Sequence, residues 1–193
     1  MIENYIFILP FLFHVLYVYM HLKNTKMHKT ERRKPLKDII MDNGPDLRNI
    51  KFIMDPLLII FLLPYLINNK TRYLIDNLKL FSLIFGLRII TSTITEVPSS
   101  DPDCETNKLG IFKYLSGHCF DKIFSGHTSL TLLLVLIAYD KSLLSFKKYL
   151  IYQILQIMYA FMLVFTRGHY SVDVVLAYII VIPIFFLLKD KLN

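Results

Sequence analysis

Six apolar runs divide this chain: Ile6–Met20, Phe52–Ile67, Leu78–Val97, Thr128–Tyr139, Tyr149–Phe165 and Val172–Leu188. A helix crosses a bilayer with about 20 mostly apolar residues, because each residue rises about 1.5 Å and every backbone group must be bonded internally. Some of these runs are shorter than that, the fourth most of all. The series nevertheless predicts an all-α, polytopic membrane protein, a six-transmembrane-helix bundle forming a single domain over residues 1–193. The composition agrees, with 54% apolar residues and a mean hydropathy of +0.48. The first run has neither a basic start nor a small-residue cleavage pattern, so it reads as a helix rather than a secretory signal. Its His14 reads as a satisfied or interfacial histidine rather than a ligand, since no second chelating residue stands at helical spacing.

The net charge of +7 comes from basic residues in loops beside apolar runs, with no basic helix and no nucleic-acid motif. Contact with lipid headgroups, not nucleic acid, is what this distribution predicts. The segment Lys23–Lys51 holds nine Lys and Arg against four Asp and Glu and reads as a solvated loop. In the second run Asp55 reads as an interfacial acid, followed by Pro56 in the first helical turn.

Two polar stretches carry the residues of chemistry. One is Cys119-Phe-Asp121-Lys-Ile-Phe-Ser125-Gly126-His127-Thr128, and the other is Arg167-Gly-His169-Tyr170-Ser-Val-Asp173. Two apolar runs and the charged turn Asp140–Lys148 separate them, so a pair of membrane crossings returns both to one face. At the first stretch, Gly126 lets the chain turn tightly before a helix, so that the amides of Ser125 to Thr128 can cradle a phosphate. His127 at its mouth suits proton transfer near neutral pH. At the second, His169 and Asp173 are four apart and share a helix face. The acid can fix the imidazole tautomer and leave the other ring nitrogen to attack phosphorus. Arg167 can hold the equatorial oxygens on which charge gathers.

Arg88 lies well inside the third run, where a charge is costly enough to point to function. With Thr91 and Thr95 it forms a polar stripe on one helix face. Arg88 either faces a phosphate or bonds backbone carbonyls and snorkels to an interface. Cys104 and Cys119 share one loop, as a disulfide or as free thiols. Neither sits in a CxxC pair and His118 completes no ligand set, so no metal and no cofactor is expected.

At these residues the chain resembles the sphingomyelin synthase-related family, a branch of the lipid phosphate phosphatase superfamily. Four blocks carry the resemblance: Pro35-Leu-Lys-Asp38 with Asp42; Arg88-x-x-Thr91-x-x-x-Thr95-x-x-Pro98; Cys119-x-Asp121-x-x-x-Ser125-Gly-His127-Thr128; and His169-Tyr-Ser-Val-Asp173. Phe120 departs from the glycine usual between the Cys and Asp of the third block. The resemblance implies a six-helix enzyme that works without metal. It would move a phospho-headgroup, such as phosphocholine, phosphoethanolamine or phosphoinositol, from a glycerophospholipid donor to a ceramide or diacylglycerol acceptor. His169 would be the nucleophile that forms a phosphohistidine, Asp173 its orienting partner, and His127 the acid and base. Arg88, Asp121, Ser125, Gly126, Arg167 and Tyr170 are the residues expected at the substrate phosphate.

The family's site faces the lumen or cell exterior, which implies an integral protein of the secretory pathway (ER or Golgi) or the plasma membrane, and suits a Cys104–Cys119 disulfide. Loop charge points the other way. The nine Lys and Arg after the first run outnumber the eight on the opposite face, which by the positive-inside rule would put the catalytic face in the cytosol. Because that rule is statistical, the family orientation is followed here. Two alternatives share the scaffold: a lipid phosphate phosphatase in which water resolves the phosphohistidine, and a non-catalytic membrane lipid-binding protein.

Overall fold

The computed structural model describes residues 34–95, 97–101 and 123–191. The run Ile6–Met20 with its His14, and the loop bearing Cys104, His118, Cys119 and Asp121, lie outside the described residues. Every regular element among the described residues is helical. In order these are α1 (Ile39–Asn43), a 3-10 turn (Arg48–Ile53), α2 (Met54–Leu57), α3 (Ile59–Ile67), α4 (Tyr73–Ile94), α5 (Gly126–Asp140), α6 (Phe146–Phe165), α7 (Ser171–Leu188) and a closing 3-10 turn (Lys189–Lys191).

Three segments are long and apolar enough to cross a membrane: Arg48–Ile67, Phe146–Phe165 and Ser171–Leu188. Of the six expected crossings the first lies outside the described residues, and three of the other five meet this length and composition. The third run becomes the 22-residue α4, which starts earlier than expected and carries Asp76, Lys79 and Arg88. The fourth becomes α5, whose 15 residues rise only about 22 Å, against a hydrocarbon core of about 30 Å.

That short helix is the centre of the molecule. From Thr128 to Ala138 all but Leu130 of α5 are buried, and α3, α4, α6 and α7 pack around it. A helix apolar on all sides belongs in a protein core, which is how α5 can be shorter than the bilayer is thick. Around it α6 shows two faces. Gln156, Tyr159, Ala160, Leu163 and Val164 turn inward, while Ile151, Ile154, Ile157, Met158 and Phe161 are exposed, as expected of a helix with lipid on its outer side.

Several polar groups inside the bundle are paired across helices. Gln156 of α6 donates to Thr131 Oγ1 of α5 at 3.3 Å and accepts from the Tyr178 hydroxyl of α7. Tyr65 of α3 donates to the Leu134 carbonyl at 2.6 Å. These bonds join α5 to its neighbours where apolar contact alone would let helices slide.

The segment before Arg48–Ile67 is not a loose loop. Met41 of α1 is buried with Ala160, Val164, Tyr170 and Val174 at the junction of α6 and α7. The Leu47 amide donates to the Phe165 carbonyl at 3.0 Å. Gly44 lies so near Phe165 that an added methyl would collide with its ring. Residues 35–47 thus strap the end of the bundle where α6 stops and α7 begins, correcting the solvated-loop expectation for this part.

Candidate active site

The two chemical stretches meet. The imidazole centroids of His127 and His169 are 6.4 Å apart, and the Ser125 amide donates to the Asp173 carbonyl at 3.1 Å. The local sequence dictates the frame on each side. Ser125 is the N-cap of α5, its hydroxyl accepting from the Thr128 amide at 3.2 Å, which leaves His127 in the first turn at the helix N-terminus. Tyr170 is the N-cap of α7, and the Asp173 carboxylate accepts from the Tyr170 amide at 3.0 Å. An acid in the first turn is favoured there by the helix dipole.

His169 stands just outside α7 rather than on its surface, so the pair with Asp173 is made across the cap and not along a helix face. His169 Nδ1 lies 3.5 Å from Asp173 Oδ2, with the side chains 7% and 0% exposed. The carboxylate thus lies on the Nδ1 side of the imidazole ring, away from Nε2.

His127 has a carboxylate of its own. Its Nε2 donates to Asp55 Oδ1 at 2.9 Å, linking α5 to α2. Reading Asp55 as a lone interfacial acid missed this. The signal was present: an ionisable group inside an apolar run calls for a partner, the reasoning applied to Arg88.

Around the histidines the expected phosphate residues take varied places. Arg88 Nε donates to the Phe124 carbonyl at 2.8 Å, and Thr91 Oγ1 donates to that of Ile123 at 3.2 Å. A Cβ on Gly126 would meet Arg88 Nε at 3.7 Å, so the guanidinium lies under the first turn of α5. Of its two expected roles, backbone anchoring is the one with a described contact.

The predicted amide cradle is smaller than expected. Ser125 and Thr128 spend their amides on Asp173 and Ser125, leaving at most Gly126 and His127 for an anion. Ser125 is fully buried, its hydroxyl turned to Thr128. The Tyr170 hydroxyl is likewise occupied, donating to the Pro98 carbonyl and accepting from the Leu36 amide, both at 3.0 Å. Burial pushes this phenol above its usual pKa. Tyr170 ties the strap to α7. Asp121 lies outside the described residues.

Arg167 sits in the left-handed region at φ 57°, in the turn just before His169. Its carbonyl accepts from Ser100 Oγ at 2.8 Å, and its guanidinium lies 3.5 Å from Asp42. With Asp42, Asp46, Arg48 and Ser100 it lines a groove of about 210 Å³.

Asp38 completes the frame. Its carboxylate caps α1 through the amides of Ile40 and Met41, and accepts from the amide and hydroxyl of Ser171 at 2.6 and 2.9 Å. Burial alone would raise its pKa, but the bonds from Ser171, Met41 and Ile40 outweigh this and hold it below the ordinary 3.8. One acid therefore joins two helix N-termini and fixes the start of α7, two residues from His169.

Among the described residues no group of three or more His, Cys, Asp or Glu comes together in a metal-binding arrangement. Two imidazoles with carboxylate partners, at the N-terminal ends of two packed helices, can exchange protons and attack an electrophile. No curated protein matches the chain. Residues 118–190, which hold both histidines and Asp173, match the family model of the PAP2 superfamily C-terminal region, a match that supports the PAP2/lipid phosphate phosphatase superfamily and with it a lipid phosphatase or phosphotransferase type of function.

Proposed function

We propose that the protein is a phospholipid headgroup transferase. His169 attacks the phosphorus of a glycerophospholipid through Nε2, Asp173 steadies the resulting imidazolium, and His127 protonates the departing diacylglycerol oxygen. A ceramide or diacylglycerol hydroxyl then gives its proton to His127 and displaces the headgroup from His169. The observation that carries this reading is the 6.4 Å between the two imidazoles. Imidazoles this close can serve one phosphoryl group, one ring attacking phosphorus from about 3–3.5 Å and the other exchanging a proton with a bridging oxygen at about 2.6–3.2 Å. The four sequence blocks favour a lipid alcohol over water as acceptor. The same blocks imply a site open to the lumen or cell exterior.

Water as acceptor is the second reading, supported equally by the superfamily match. Vesicles containing the protein, a fluorescent ceramide and phosphatidylcholine, phosphatidylethanolamine or phosphatidylinositol separate the two. The transferase converts ceramide to a phosphosphingolipid, and His169→Ala abolishes the product. Unchanged ceramide with release of a soluble phospho-headgroup would establish the phosphatase. Product formation that survives His169→Ala would refute both.

A further inference from the structure

Beside Arg167 the strap and the 3-10 turn carry a row of alternating charge. Asp42 lies 3.5 Å from the Arg167 guanidinium. Asp46 accepts from Arg48 Nε at 3.1 and 3.0 Å and from its Nη2 at 2.9 Å. The same Arg48 comes within 4.0 Å of Asp101, whose other oxygen accepts from Lys51 Nζ at 2.9 Å. Three carboxylates therefore face three cations, and the row carries no net charge.

These side chains line two grooves that share Asp46 and Arg48. The smaller holds Arg167 and Ser100. The larger, of about 540 Å³, is walled by Asn49 and Asp101, and small-molecule sites occupy about 300–1,000 Å³. Together they lead outward from Arg167, two residues before His169, to the exposed amide of Asn49. Asp46, Arg48, Asn49 and Asp101 stand outside all four sequence blocks.

The chemistry of this lining discriminates among headgroups. Quaternary ammonium groups are held over aromatic faces, and no aromatic residue is among the described residues lining either groove. An ammonium would meet carboxylates already bonded to cations, with a like charge beside each. Hydroxyl groups suit the row better, because they donate to carboxylates and accept from guanidinium and amide groups. Hydrogen bonds to charged partners are the stronger kind. Asp46 and Arg48 are 46% and 37% exposed, so both keep edges open to a ligand.

We propose that this groove selects the phospholipid donor by taking a polyhydroxyl headgroup, inositol or glycerol, with Asp46, Arg48 and Asn49 as specificity-determining residues. The proposal rests on the reading of the protein as a headgroup transferase. With phosphorus at His169, the headgroup extends past Arg167 into the row, and the diacylglycerol oxygen lies toward His127.

The test offers vesicles of the protein and fluorescent ceramide one donor at a time: phosphatidylinositol, phosphatidylglycerol, phosphatidylcholine, phosphatidylethanolamine or phosphatidylserine. Transfer from at least one of the first two should exceed each of the others about tenfold or more, and the product identifies inositol or glycerol. Phosphatidylserine controls for lipid charge, since it is anionic without a polyol. Asp46→Ala should lower the preference for polyol over choline about tenfold, as the loss of one hydrogen bond to a charged group does. Asn49→Ala should lower it by less. Preference for choline, ethanolamine or serine donors, equal use of all five, or a preference unchanged in both variants would overturn the proposal and leave the transferase reading intact. If no donor gives product, that reading falls and binding alone decides the proposal. Calorimetry in detergent should then show glycerophosphoinositol or glycerophosphoglycerol binding wild type about tenfold tighter than glycerophosphocholine, with the difference lost in Asp46→Ala; equal affinities would overturn it.

Discussion

The amide of Ser125 donates to the carbonyl of Asp173 at 3.1 Å, so the N-cap of the His127 helix is tied to the helix turn bearing the His169 partner. Two stretches separated by about two helices of chain are thereby held in register by the main chain, whatever the side chains do. The Ser125 hydroxyl adds the cap of α5 through Thr128. Ser125→Ala removes that cap and the bond from the Thr128 hydroxyl but not the main-chain bond, and should cost about 0.5–2 kcal/mol of stability. Ser125→Thr should retain most of it. Thermal unfolding in detergent checks both, and headgroup transfer should fall with the cap because His127 sits in the turn it holds.

Sequence reading was most successful where chemistry repeats a pattern. The pairing of His169 with Asp173 and its approach to His127 follow from two motifs and the hairpin between them. It failed where tertiary context decides. α5 is shorter than a bilayer because other helices cover it, which no hydropathy window registers. Ser125 and Tyr170 stand at helix N-caps with hydroxyls bonded to neighbours, contacts that no motif spacing announces. Asp55 was passed over because its partner lies far along the chain and shares no spacing with it. Asp38 belonged to a recognised block, yet its role at two helix N-termini needed the fold.

Asp38 makes the strap sensitive to acid. Its folded pKa lies below the ordinary 3.8, so its carboxylate contributes stability in full above about 3.8 and loses it as pH falls through the lower folded value. The strap should stay docked from neutral pH down to about 4 and loosen below that. Hydrogen exchange at the Met41 and Ser171 amides would follow the change. Asp38→Asn should show fast exchange at neutral pH and no acid transition in that range.

Arg167 offers a way to separate stability from activity. A non-glycine residue at φ 57° carries a cost of about 1–2 kcal/mol, which glycine removes. Its ion pair with Asp42 at 3.5 Å is partly exposed and worth under about 1 kcal/mol. Arg167→Gly should therefore be as stable as wild type or up to about 1 kcal/mol more so, by thermal unfolding in detergent. Headgroup transfer should drop at least tenfold if the guanidinium meets phosphate oxygens. Arg167→Ala, which keeps the strain and loses the charge, should be the less stable of the two.

The bond network of Gln156 predicts a paired rescue. Its amide reaches Thr131 and accepts from Tyr178, so Gln156→Leu strands the half-buried phenol, while the Thr131 hydroxyl keeps its bond to the His127 carbonyl. Each stranded group costs about 1–3 kcal/mol in a water-soluble interior; such bonds in membrane bundles average nearer 0.6 kcal/mol. A loss of about 1–3 kcal/mol is expected for Gln156→Leu. Tyr178→Phe on that background removes the stranded hydroxyl and should recover part of it, although Tyr178→Phe alone destabilises. Thermal unfolding of the two single variants and the double variant in one detergent measures the coupling. Thr131 also donates to the His127 carbonyl at 2.9 Å, so the same series should move transfer activity in step with stability; strictly additive losses would show that the network holds neither helix nor histidine.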